Sequence, residues 1–200
     1  MDGQDITGLP PHDLFHKGLL RTFQIAHEFA SMSVRENLMM VPAQQSGETL
    51  WNTWFGRKRI AEEERALQAK ADEVIEFLTI GHLKDEKAGN LSGGQKKLLE
   101  LGRTMMVEAQ IVFLDEVGAG VNRTLLNTIS DAILRLNKER NYTFVVIEHD
   151  MEFIGKLCDP VICMAEGKVL AEGTLNQIKA NDQVIEAYLG TGLKNRAVRQ

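Results

Sequence analysis

Two short apolar runs joined by one amphipathic stretch limit this chain to few folds. Ile111-Val112-Phe113-Leu114 and Thr143-Phe144-Val145-Val146-Ile147 carry no charge. Between them, residues 125–138 place Leu126, Ile129, Ile133, Leu134 and Leu136 largely on one side. Wholly apolar strands fit a parallel sheet covered on both faces, and parallel strands need a crossover connection, usually a helix. The spacing predicts a βαβ unit in an α/β domain. The first run ends in Asp115-Glu116 and the second in Glu148-His149-Asp150. Open α/β sheets bind ligands at the carboxyl ends of their strands. Adjacent carboxylates there are costly unless they hold a cation or take a proton, and a strand end running into a solvated turn is the plain alternative.

Upstream lies Leu91-Ser92-Gly93-Gly94-Gln95, followed by the apolar-periodic run Leu98, Leu99, Leu101, Met105 and Met106. This reads as a helix start with Ser92 as N-cap and glycines that leave the first backbone N–H groups unscreened. Such a terminus has orphan donors and the positive end of the helix dipole, which suits a phosphate. A glycine-rich cap is also common in loops that bind nothing, so its weight comes from what surrounds it.

At this point the chain resembles the nucleotide-binding subunit of ATP-binding-cassette (ABC) transporters. Leu91 to Gln95 matches the family's signature motif letter for letter, and Ile111 to Glu116 resembles Walker B plus the catalytic glutamate. Gly118 to Asn122 is similar to the D-loop, His149 to the switch histidine, and Gln24 in Arg21-Thr22-Phe23-Gln24 to the Q-loop glutamine. After Glu116 the family usually has proline where this chain has Val117, and Asn122 stands where many relatives have aspartate. Within the family, Asp5-Ile6-Thr7-Gly8-Leu9-Pro10, Glu148-His149-Asp150-Met151 and Glu186-Ala187-Tyr188-Leu189-Gly190 look most like the branched-chain amino acid importers, with urea importers as close relatives. No G-x-x-x-x-G-K-[ST] occurs in the 200 residues, and residues 89–96 mimic only its glycine spacing. The resemblance therefore implies an ABC ATPase domain without its Walker A portion.

The rest of the chain is read in the same terms. Residues 19–23 read as a strand leading to Gln24. Ser33-Val34-Arg35-Glu36 is a capping-box pattern that opens a short helix. Trp51, Trp54 and Phe55 form an aromatic cluster, either a satellite core or a groove for a membrane-embedded partner. Residues 60–80 predict a long amphipathic helix, with Ile60, Leu67, Ala71, Val74, Ile75 and Leu78 on one face. Residues 26–109 would then be a helical subdomain inserted into an α/β core. Residues 110–190 would hold the Walker B and histidine strands, a small hairpin around Glu166-Gly167 and two closing helices. Residues 194–200 form a polar tail.

Bulk properties exclude some classes. A net charge of −5 and a pI near 5.6 argue against a nucleic-acid surface. Cys158 and Cys163 have no metal or redox spacing. No apolar run approaches the ~18 residues needed to span a membrane. The resemblance implies a P-loop NTPase-like α/β domain, lying peripherally on the cytoplasmic face of the plasma (inner) membrane.

The resemblance also implies a mechanism. Two ABC ATPase subunits meet head to tail and share each nucleotide. Ser92, Gly93, Gly94 and Gln95, with Asn122, would contact ATP held by the partner. Asp115 and Gln24 would hold Mg²⁺ through water, Glu116 would orient or deprotonate the attacking water, and His149 would contact the γ-phosphate. Transmembrane permease subunits would be the further partners. The alternative is a non-catalytic or truncated subunit that supplies only the signature motif.

Overall fold

A three-stranded parallel sheet forms where the apolar runs predict it. The computed structural model describes residues 1, 3–22, 28–43, 45, 54, 56–107 and 109–189. Strand β1 (Leu19–Arg21), β2 (Ile111–Asp115) and β3 (Thr143–Ile147) lie in the order β1-β2-β3, with Leu19 beside Ile111 and Ile111 beside Thr143. β1 is shorter than the sequence predicts and stops at Arg21; Phe23 and Gln24 fall outside the described residues. The chain forms two compact units, Met1–Ile147 and Glu148–Gln200.

In the first unit, helix α1 (Pro11–His16) leads into β1, and the predicted helices follow. Helix α2 (Val34–Met39) has the full capping box, with Glu36 N–H donating to Ser33 Oγ at 3.2 Å and Ser33 N–H donating to Glu36 Oε2 at 2.7 Å. Helix α3 (Arg57–Phe77) starts and stops earlier than the apolar period indicates. It ends because Thr79 turns left-handed at φ 59°, which lets Ile80 N–H reach back to the Ile75 carbonyl at 3.1 Å. Its burial runs over Ala71, Val74, Ile75 and Leu78, while Ile60 and Leu67 are only half-buried.

Helix α4 (Gly93–Met106) packs on α2 and α3. Gly102 makes that possible: a Cβ there would stand 2.9 Å from Leu78 Cδ1 and 3.1 Å from both Leu38 Cδ2 and Val74 Cγ1. Helix α5 (Arg123–Arg140) is the crossover between β2 and β3 and packs on β3 and α4. Ile129, Ile133 and Leu136 are buried, as are Val112 and Leu114.

The sheet corrects one expectation. Apolar strands predict cover on both faces, but β2 alternates between buried and half-buried residues and β3 between half-buried and exposed ones. Val145 and Ile147 are 41% and 51% exposed. Among the described residues, only the face carrying Val112 and Leu114 is sealed.

The second unit opens with helix α6 (Met151–Leu157), then the antiparallel hairpin β4 (Val161–Ala165) and β5 (Lys168–Gly173). Glu166 and Gly167 both take positive φ, 49° and 75°, the turn geometry that matches the twist of two hairpin strands. Helices α7 (Leu175–Lys179) and α8 (Asp182–Leu189) follow. Ile154, Val161, Ile178 and Val184 form its core, with Cys158 and Cys163 packed alongside as ordinary apolar residues.

Candidate functional site

Asp115 ends β2 on the same face as Arg21, which ends β1. In the parallel register Arg21 lies beside Phe113, so Asp115 is one side-chain repeat further along. Arg21 Nη2 donates to Asp115 Oδ2 at 2.8 Å. Thr22 adds a second tie between the strands: its N–H donates to the Phe113 carbonyl at 2.9 Å, and its Oγ1 accepts from Asp115 N–H at 3.4 Å. The sequence offered a signal for this pair, an arginine closing an apolar strand, but not its partner.

Glu116 leaves the sheet in a strained conformation, φ 46°, with its N–H donating to the Ile147 carbonyl at 2.9 Å. A side-chain-bearing residue held there costs on the order of 1–3 kcal/mol, and such positions cluster at active sites. The chain then turns at once, Ala119 N–H donating to the Glu116 carbonyl at 3.1 Å. Asn122 ends the turn as the N-cap of α5, its Oδ1 accepting from Leu125 N–H at 3.0 Å.

Ser92 is the N-cap of α4, as its sequence predicts. Gln95 completes a capping box that the sequence reading missed, although the S-x-x-Q spacing was legible. Ser92 N–H donates to Gln95 Oε1 at 2.8 Å, and Gln95 N–H donates to Ser92 Oγ at 3.4 Å. The glycines between them have different reasons to be glycine. A Cβ on Gly93 would meet none of the described residues within 4 Å, whereas one on Gly94 would stand 2.2 Å from Leu125 Cδ2 and 3.0 Å from Val121 Cγ1. Gly94 is therefore a packing requirement of the Val121–Leu125 turn, and Gly93 is open.

His149 belongs to the second unit and is largely exposed, its Nδ1 3.8 Å from Glu148 Oε2. Asp150 is the N-cap of α6, accepting from Glu152 and Phe153 N–H groups at 2.9 and 3.1 Å. Trp54 is 79% exposed; Gln24, Trp51, Phe55 and residues 190–200 lie outside the described residues.

Magnesium keeps several waters and is held by one or two carboxylates together with substrate phosphates, not by an all-protein cage. Asp115 and Glu116 fit that demand, and among the described residues there is no group of three His, Cys, Asp or Glu that would compete as a cation cage. A cavity of about 630 Å³ is bordered by Gly18, Gln110 and Tyr142, which precede β1, β2 and β3. It opens at the amino end of the sheet, opposite Asp115, and none of the residues named above for nucleotide lines it. The carboxyl end carries the chemistry despite its shallower surface.

Comparison with known proteins agrees with this geometry. A family model described as ABC transporter matches residues 1–119, and one described as branched-chain amino acid ATP-binding cassette transporter matches residues 168–194. A probable branched-chain amino acid transport ATP-binding protein, LivG of Archaeoglobus fulgidus, is 41% identical over 189 residues, 94% of this chain and 72% of that protein. BraF of Pseudomonas aeruginosa, a high-affinity branched-chain amino acid transport ATP-binding protein, is 34% identical over 190 residues, 95% of this chain and 74% of that protein. The crystal structure of a nucleotide-free ATP-binding cassette from an ABC transporter superposes with a TM-score of 0.78 at 36% identity, covering 95% of this chain and 76% of that one. The fold is the P-loop NTPase-like α/β fold of ABC cassettes. The chain belongs to the ABC transporter ATP-binding family, whose members are nucleotide-binding ATPases.

Proposed function

We propose that this chain is the ATP-hydrolysing subunit of an importer for branched-chain amino acids. The observation that carries the reading is the open start of α4, where Ser92 is a structured cap and, among the described residues, Gly93 has no neighbour that would keep a phosphate away. The names of the relatives support the solute class, and none of those reported supports urea. The partners are a second ABC ATPase subunit, in a head-to-tail dimer, and transmembrane permease subunits. The place of action is the cytoplasmic face of the membrane; no helix among the described residues is long and apolar enough to cross it. Residues 26–109 are the helical subdomain, a reading supported by the mutual packing of α2, α3 and α4.

Each side chain has one task in this reading. Ser92, Gly93 and Gly94 donate hydrogen bonds to the γ-phosphate of ATP held by the partner subunit, spreading its charge as the transferred group loosens. Gln95 acts through Ser92 by holding the cap, and Asn122 acts beside them at the start of α5. Asp115 and Gln24 would hold Mg²⁺ through water; when bound, the ion neutralises phosphate charge. Glu116 takes the proton of the attacking water, a role worth about 10²–10⁴ in rate. His149 contacts the γ-phosphate. Trp54, 79% exposed, faces the permease.

The test mixes the chain with a family subunit whose own signature serine is disabled. Restored magnesium-dependent turnover is expected, and Ser92→Arg should abolish it by placing bulk against the phosphate. No turnover with the unaltered chain would overturn the reading.

A second reading is that the chain supplies only its signature helix to a partner's site. Glu116→Gln separates the two. Measured on the chain alone, where each copy's signature completes the other's site, it abolishes magnesium-dependent turnover if this chain's own site works, and there is no turnover to lose if only the signature is used.

A further inference from the structure

Lys96 stands in the first turn of α4, where the helix dipole is positive and a cation is disfavoured. Its Nζ lies 2.6 Å from Glu28 Oε1, with the two side chains 26% and 13% exposed. Burial pushes the Glu28 carboxyl up, but the hydrogen bond from Lys96 and the positive charges of Lys96 and Arg103 outweigh it and hold the group below its ordinary value. The backbone of Lys96 is also committed, its N–H donating to the Ser92 carbonyl at 3.0 Å and closing the first turn on the N-cap. A displacement of Lys96 is thereby felt at Ser92.

Glu28 begins a segment tied to the helices around the signature. Phe29 N–H donates to Asn37 Oδ1 at 2.8 Å, and Asn37 Nδ2 donates back to the Phe29 carbonyl at 3.1 Å. Asn37 is wholly buried in α2 and its Oδ1 also accepts from Arg103 Nη2 of α4 at 3.1 Å. The Arg103 guanidinium lies 5.5 Å from the Phe29 ring centre. Two backbone bonds, Gly89 N–H to the Ala30 carbonyl at 3.1 Å and Ala88 N–H to the Met32 carbonyl at 2.9 Å, fix the segment to the turn that precedes Ser92. On the other side of Gln24, Arg21 and Thr22 are bonded to β2 through Asp115 and Phe113. The residues flanking Gln24 are thus anchored to different places: one side to the carboxylate strand, the other to the signature helix.

We propose that the Glu28–Lys96 ion pair is a positioning device that sets where the first turn of α4 presents Ser92 and Gly93. It ties the chain that follows Gln24 to the N-cap through Lys96. An ion pair this far from water adds little net stability over an apolar pair, so its contribution is geometric. The assignment rests on the reading of Ser92 and Gly93 as phosphate contacts in trans.

The test uses hydrogen exchange at the Ser92, Gln95 and Lys96 amides of the full chain. The helix dipole alone predicts that Lys96→Met slows exchange there, since it removes a disfavoured cation. The pair predicts the reverse, about fivefold faster exchange, between the limits for exposed and buried pairs. Glu28→Gln should act alike. Lys96→Glu should be fastest of all because two carboxylates then face each other, and adding Glu28→Lys should restore the slow rate. Amides at Thr104–Met106 should not change. In the mixed-subunit assay, the single variants should lower kcat with KM for ATP unchanged, and the reversed pair should recover it. Slower or equal exchange in Lys96→Met, or no recovery in the reversed pair, overturns the proposal. If the unaltered chain supports no turnover in the mixture, the functional reading fails while the exchange data still decide the ion pair.

Discussion

Arg21 and Asp115 close the carboxyl ends of adjacent parallel strands with one hydrogen-bonded ion pair, Nη2 to Oδ2 at 2.8 Å. The guanidinium stands where a cation at Asp115 would compete with it. A double-mutant cycle with Arg21→Gln and Asp115→Asn, read by urea unfolding, should give a coupling of about 0.5–1 kcal/mol, because the arginine is mostly exposed. Adding Mg²⁺ with ATP to the mixed dimer should shrink that coupling. A cycle that closes at zero without the ion would show that the pair is not held in solution.

Trp54 is too exposed to be a core anchor in the described chain. Trp54→Ala should change unfolding free energy by no more than about 0.5 kcal/mol, as surface changes do. A buried tryptophan would lose about 3–5 kcal/mol. Retention on the permease should fall instead, measured by co-purification from detergent-solubilised membranes.

Much of this arrangement was legible in the sequence, for identifiable reasons. Uncharged runs before Asp115 and Glu148 gave β2, β3 and the crossover helix, because their period and length leave few alternatives. The caps Ser33 and Ser92 were legible because their side chains act on neighbours a few residues away. What stayed hidden depends on residues far apart in the chain. Nothing local to Arg21 names Asp115, and nothing local to Gly94 names Leu125. The early end of β1, the left-handed Thr79 and the strained Glu116 were missed for another reason: backbone geometry at an element's end is set by tertiary contacts and is poorly encoded by composition.

Glu28 gives the molecule a defined acid response. Its carboxyl is held below the ordinary 4.5 in the folded chain, so the stabilisation is complete above about pH 4.5 and is lost as pH falls through the lowered folded value. Glu28→Gln lacks this titration. The stability gap between the unaltered chain and Glu28→Gln, from thermal melts at several pH values, should be constant above about pH 5.5 and narrow below pH 4.5. A gap that widens on acidification would reverse the assigned sign.

Gly93 and Gly94 separate packing from phosphate contact in adjacent residues. Gly94→Ala would push a methyl to 2.2 Å from Leu125 Cδ2 and 3.0 Å from Val121 Cγ1, in a place where the first turns of α4 and α5 meet. The leucine can shift in part, so the expected loss is about 1–3 kcal/mol of unfolding free energy, the usual cost of overpacking. Gly93→Ala meets none of the described residues within 4 Å and should leave stability unchanged or raise it by up to about 0.5–1 kcal/mol, since alanine loses less backbone entropy in a helix. If the open space at Gly93 receives a phosphate from the partner subunit, that same methyl should depress turnover in the mixed-subunit assay even though the chain is at least as stable. Urea unfolding and turnover measured on the same two variants decide the matter. A Gly93→Ala chain with full turnover would remove Gly93 from the phosphate contacts, and a Gly94→Ala chain of unchanged stability would show that the α4–α5 approach is looser than the structure has it.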